Sequence, residues 1–138
     1  MLLTPNFHLE EFVCPCCHEV SVDWRLLTAL QQLRDSLGVP LLINSGFRCS
    51  KHNHSVNGAD GSYHTIGLAA DIQVPSGMSL VDLFLAAERV EYLAGFGVDM
   101  RYMHVDVRSR PEYWVYKAGR ILVCQRSAFV DEIGSLHG

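Results

Sequence analysis

The stretch Ser62-Tyr-His-Thr-Ile-Gly-Leu-Ala-Ala-Asp71 holds an imidazole, His64, and a carboxylate, Asp71, with Gly67 between them. Nitrogen and oxygen donors on converging segments suit Zn²⁺, which accepts both and favours four ligands in a tetrahedron. A third donor is available in Tyr102-Met-His-Val-Asp-Val-Arg108, at His104. Two histidines and one aspartate leave a fourth position for water, the pattern of a catalytic rather than a structural zinc. Hydrolysis is the chemistry such a centre performs.

For these side chains to meet, the chain must turn and run back. Ile72-Gln73-Val74 alternates apolar and polar residues and stops at Pro75, which predicts a strand starting at Asp71. His64 then sits on a loop that turns at Gly67. An imidazole and a carboxylate seven residues apart also fit one helix face, but Gly67 and the β-type run count against that. Residues 102–108 alternate as well, with Tyr102, His104 and Asp106 on one face and Met103, Val105 and Val107 on the other. Spacing alone leaves open a bland alternative, a hydrogen-bonded strand histidine that holds no metal.

The scaffold reads from caps and stripes. Asp23 is the expected N-cap of a helix that runs through Leu37 to Gly38 and Pro40, with Leu26, Leu30, Leu33 and Leu37 on its buried side. Leu41-Leu-Ile43 reads as a short strand, and Asn44-Ser-Gly46 opens the loop that delivers Arg48. Residues 51–58 are polar, irregular or briefly helical, with His52 and His54 read as solvated. Ser79 caps a second helix reaching Val90. Gly95-Phe-Gly-Val98 leads through Asp99 and Arg101 into the His104 strand. Residues 113–116 and 121–124 form a hairpin across 117–120, with Trp114 read as core although it could instead shape a cleft. Residues 127–138 read as a tail of no assigned order. The expectation is one domain over 1–138 with its core in about 6–126: α+β, a small mostly antiparallel sheet with a few flanking helices.

Composition narrows the function. A chain of 138 residues with formal charge −4 and no stripe of Lys and Arg is not built for nucleic acid. No apolar run is long enough to span a bilayer, and the N-terminus lacks a signal-peptide pattern. A cytoplasmic chain without membrane insertion is expected, leaving that compartment only if another factor releases it. Five cysteines stand at 14, 16, 17, 49 and 124. Structural zinc usually shows two Cys-x-x-Cys knuckles, and Cys14 to Cys17 is one, so a second zinc there is not expected. Reduced thiols, or one disulfide from the cluster to Cys49, remain the alternatives.

Ser62-x-His64-x-x-Gly67-x-Ala69-x-Asp71, followed by His104-x-Asp106, resembles the signature of the zinc D-alanyl-D-alanine carboxypeptidase family. That family also takes in L-alanyl-D-glutamate endopeptidases of phage lysins, vancomycin-resistance dipeptidases and the hedgehog signalling fold. Ile43-Asn-Ser-Gly-Phe-Arg-Cys49 resembles its Ser-Gly-aromatic-Arg segment. Asn6-Phe-x-x-x-Glu-Phe-x-Cys14 and Lys51-His-Asn53 resemble a small bacterial and phage branch, and the likeness covers about residues 6–108. The resemblance implies a hedgehog-like peptidase fold with one catalytic zinc at His64, Asp71 and His104. It also implies Arg48 and Ser62 at the substrate, with Arg48 gripping a peptide carboxylate through its planar fork. The implied substrate is the peptidoglycan stem peptide, cut by carboxypeptidase or endopeptidase action, and a monomer is expected.

The pattern departs in one place. Several relatives carry an acid three residues before the last zinc histidine, and others a histidine two before it; here these are Arg101 and Tyr102. Asp106 is therefore expected as general base or as orienter of the zinc site, and Tyr102 as a donor to the developing oxyanion. The departure keeps open a zinc-stabilised module that binds cell-wall peptide or a protein partner without cutting it. A purely structural protein is the third class.

Overall fold

The computed structural model describes residues 1–136. Asp23 starts α1 (Trp24–Leu37) by accepting the Arg25 N–H at 2.9 Å, one of the donors a helix start leaves without a partner. Gly38 ends it in the left-handed conformation and returns its N–H to the Arg34 carbonyl. Leu26, Ala29, Leu30 and Leu33 lie buried along one side between these caps, as the stripe predicts. Ser79 caps α3 (Leu80–Glu88) the same way, its hydroxyl accepting the Asp82 N–H at 3.0 Å. Leu80, Leu83, Phe84 and Ala87 form that helix's buried face.

The N-terminus forms a two-stranded ribbon, β1 (Leu2–Thr4) and β2 (Phe7–His8), followed by a 3-10 turn over Leu9–Phe12. The main sheet contains β3 (Ile43–Ser45), β4 (Ala69–Gln73), β5 (Gly95–Asp99), β6 (Tyr102–Asp106), β7 (Glu112–Lys117) and β8 (Arg120–Cys124). Their order is β3-β4-β6-β5-β7-β8, antiparallel throughout except for the parallel pair β5 and β7. This is the α+β class with a mostly antiparallel sheet that the sequence predicts. The short helix α2 (Ser50–Ser55) lies between β3 and β4 in the chain.

Strand alternation divides the sheet into two unlike faces. Ala70, Ile72, Phe96, Val98, Met103, Val105 and Val115 belong to the buried core with the apolar sides of α1 and α3. Phe84 packs edge-on against Phe96 with ring centroids 5.2 Å apart, and Phe129 and Tyr113 extend the cluster. The opposite face carries Asp71, His104, Gly97 and Trp114 in one cross-strand row, since Asp71 pairs His104, His104 pairs Gly97, and Gly97 pairs Trp114.

Two expectations need correction. The strand read at residues 41–43 is displaced to Ile43–Ser45, where its register against β4 shifts between Ile43 and Ser45. Residues 127–138, read as a tail, contribute instead to α4 (Arg126–Leu136), which buries Phe129 and Ile133. Only those two positions, one turn apart, signal it, and the Phe84–Tyr113 cluster supplies the surface they need; residues 137–138 lie outside the described residues. Among the described residues no helix is long and apolar enough to cross a membrane.

Candidate metal centre

His64 rides on a 3-10 turn, Tyr63–Ile66, whose first free N–H is taken by the Ser62 hydroxyl, 3.2 Å from the His64 nitrogen. Gly67 closes the turn at φ 75°, and a Cβ there would stand 2.4 Å from the Ser21 carbonyl oxygen, so only glycine fits. The chain then enters β4 and sets Asp71 opposite His104 of β6. His64 Nε2 lies 3.1 Å from Asp71 Oδ1, His104 Nδ1 lies 3.2 Å from His64 Nε2, and His104 Nδ1 lies 3.3 Å from Asp71 Oδ1. A tetrahedral zinc with bonds of about 2.0–2.1 Å spaces its ligand atoms by about 3.3–3.4 Å. The triangle is within a few tenths of an ångström of that.

Outer partners aim the lone pairs inward. His64 Nδ1 donates to the Gly46 carbonyl at 2.8 Å, which leaves Nε2 with a lone pair. His104 Nε2 donates to Asp106 Oδ2 at 2.7 Å, which leaves its Nδ1 likewise. With Asp71, three acceptors face one another inside a buried site, an arrangement that a cation satisfies. Without a metal a proton must serve. Burial works against charge on His104, but Asp106 and Asp71 outweigh it and raise the imidazole above its ordinary value. Burial would raise the Asp71 carboxyl, yet hydrogen bonds from His104 and His64 hold it well below the usual range.

Each carboxylate is backed by an arginine. Arg48 reaches Asp71 Oδ2 at 2.9 Å, and also Ser45 Oγ at 3.0 Å and Asn53 Oδ1 at 3.3 Å. Arg108 forks onto Asp106 at 2.8 and 2.6 Å and contacts Glu112. Its guanidinium lies over Tyr63 and Trp114, 4.6 and 4.9 Å from the ring centroids. Trp114 in turn packs on His104, centroids 5.0 Å apart. The indole gets there because Gly97 stands between them in the row: a Cβ at Gly97 would fall 2.2 Å from the indole nitrogen. Gly95 makes similar room for the Asp106 carboxylate, which a Cβ would meet at 2.1 Å.

Of the residues the sequence singles out, His64, Asp71 and His104 converge. Asp106 is fully buried behind His104, on the side away from the triangle, so its geometry suits the orienting role and not the base. The Arg48 guanidinium, 13% exposed, is engaged with Asp71 rather than turned out towards a ligand, and Ser62 is a turn cap. Tyr102 is half-buried on the strand face of His104; burial first, then the charges of Asp71 and Asp99, push its phenol well above the usual range. Tyr116, not anticipated, is raised by burial and feels the same two carboxylates. Arg108 and the Gly46 carbonyl were also missed, and Trp114, read first as core, lies against His104 instead. Only Arg108 had a local signal, two residues beyond Asp106 on the same strand line. A second group was not expected either: Cys14, Cys17 and Cys49 bring their sulfurs within 4.8 Å of one another, because Cys49 supplies from a distant loop what the single knuckle lacks.

A buried His–Asp–His triangle, with every outer nitrogen and oxygen tied down, is a candidate metal centre on an α+β scaffold. The chain belongs to the peptidase M15 family, whose pattern matches residues 5–107 and so spans all three ligands. No curated protein matches it. At the level of the family it is a zinc metallopeptidase, and His64, Asp71 and His104 are its candidate zinc ligands.

Proposed function

We propose that the chain hydrolyses amide bonds of the peptidoglycan stem peptide at one catalytic zinc held by His64, Asp71 and His104. The observation that carries the hydrolytic reading is the three-atom triangle with edges of 3.1, 3.2 and 3.3 Å, which supplies three ligands and leaves a fourth corner to water and substrate. The cell-wall substrate is supported by the resemblance of residues 43–49, 62–71 and 104–106 to the D-alanyl-D-alanine carboxypeptidase signature.

When bound, the ion acts as a Lewis acid that polarises the scissile carbonyl and activates a water. The protein's own residues do the rest. Arg48 holds the outer oxygen of Asp71, keeping Oδ1 for the metal and adding positive charge beside the reacting carbonyl. Asp106, clamped by Arg108, fixes the His104 tautomer. Tyr102, kept neutral by its surroundings, donates its phenolic proton to the developing oxyanion. To Asp99, paired in register with Tyr102 and with Oδ1 accepting the Met100 N–H at 2.7 Å, we assign the task of taking the water's proton and returning it to the leaving amine.

The test pairs zinc content with release of new amino groups from purified peptidoglycan. His64→Ala should lose one zinc equivalent and all release, and Asp99→Asn should keep zinc while turnover falls by about 100-fold or more. A zinc-loaded chain that binds wall peptides and never cuts them would move the assignment to a binding module. Arg101 favours that second reading, since it occupies the position where several relatives carry an acid.

A further inference from the structure

We propose that the chain holds a second zinc, a structural site made by Cys14, Cys17 and Cys49. Cys14 and Cys49 Sγ lie 3.7 Å apart, and the three sulfurs of Cys14, Cys17 and Cys49 all fall within 4.8 Å of one another. A tetrahedral zinc with Zn–S bonds of about 2.3 Å spaces its sulfurs by about 3.8 Å. A disulfide needs them at about 2.0 Å, so the arrangement suits an ion between the sulfurs better than a bond joining them.

The backbone is arranged for thiolates. Each of the three sulfurs accepts one main-chain N–H at 3.4 Å: Cys14 from Cys49, Cys49 from His52, and Cys17 from Glu19. Such donors stabilise sulfur that carries negative charge. The knuckle is closed by His18, in the left-handed region at φ 62°, with the His18 N–H bonded to the Cys14 carbonyl at 2.9 Å and the Cys14 N–H to the Glu19 carbonyl at 2.8 Å. Three sulfurs and no nitrogen or carboxylate among them make a soft site, which selects zinc over magnesium or calcium. The site ties two distant segments of the chain together, so its contribution is to folding.

Its location gives that contribution a target. Cys49 follows Arg48 directly, and the same loop offers the Gly46 carbonyl that fixes His64. One backbone bond, Phe47 N–H to the Phe12 carbonyl at 2.9 Å, already ties this loop to the N-terminal segment. A zinc bridging Cys14 and Cys17 to Cys49 would tie it a second time and hold Gly46 and Arg48 against the first centre.

The experiment uses the full chain, purified reduced and without oxygen. Wild type should carry about two zinc ions, and Cys49→Ser and His64→Ala about one each. Cobalt-loaded His64→Ala should still show the intense near-ultraviolet thiolate-to-metal band, and its clustered cysteines should resist alkylation until a chelator is added. If Cys49→Ser does not fold, the cobalt spectra of wild type and His64→Ala decide alone. A wild type with at most one zinc, a cobalt form without the thiolate band, or a Cys14–Cys49 disulfide in the native chain would each overturn the proposal.

Discussion

The two faces of the six-stranded sheet are made by the same strands and do opposite work. On β6, Met103 and Val105 are fully buried among apolar side chains, while His104 and Asp106, which alternate with them, are bound to other polar groups. On β5, Phe96 and Val98 fill the core while Gly95 and Gly97 offer empty space to Asp106 and Trp114. Stability and chemistry are thus interleaved at a period of two residues and yet kept apart in space. Neighbouring substitutions should therefore fail in different ways, and that is how the comparison can be broken.

The largest effect belongs to the polar face. His104→Ala should abolish peptide hydrolysis and bring zinc at the His–Asp–His centre to background, a loss well beyond the roughly 100-fold typical of an outer partner. At about pH 8, where the contribution of protonated His104 is fading, urea unfolding of the chelated variant should stay closer to that of chelated wild type than Met103→Ala does. Next door, Met103→Ala should lower unfolding free energy by about 2–5 kcal/mol, leaving the zinc content of the folded protein unchanged. If Met103→Ala strips the metal, or His104→Ala unfolds the chelated chain, the two faces are not independent.

Asp106→Asn is expected to weaken zinc binding at the His–Asp–His centre by about 10–100-fold, measured by competition with a chromogenic chelator. Unaltered affinity would remove Asp106 from its orienting role. The smallest effect is a pH dependence. In the metal-free protein His104 has a raised pKa, so its contribution is complete below about pH 6.5 and lost as pH climbs through the higher folded value. Zinc requires the deprotonated imidazole and binds better along the same climb. Asp71 and Asp106 are held low, and what they add disappears only in acid. The gap in melting temperature between zinc-loaded and metal-free protein should widen from about pH 6 to about pH 8. A gap that narrows over that range would contradict the proton–metal exchange at His104.

What could be read from the sequence was what lies close along the chain. His64, Gly67 and Asp71 fall in one segment, and alternation alone puts His104 and Asp106 on one face. The caps at Asp23, Gly38 and Ser79 are local for the same reason. Alternation could not say that Asp106 turns back onto His104 instead of out to the substrate, because that depends on Arg108 and on the space above Gly95. The helix over Arg126–Leu136 depends on aromatic rings from two other elements, Phe84 of α3 and Tyr113 of β7, and Cys49 meets Cys14 across thirty-five residues. Such pairings are decided by topology, which one sequence does not display.

The fit of Trp114 over Gly97 also limits how the sequence can drift. Any side chain at position 97 would occupy the place where the indole now lies, and a smaller ring at 114 would leave His104 uncovered on that flank. Neither position can change alone without loss, so descendants of this chain should exchange the two residues together or keep both. A homologue with a bulky residue at the first and a small one at the second would be the trace of such a paired exchange.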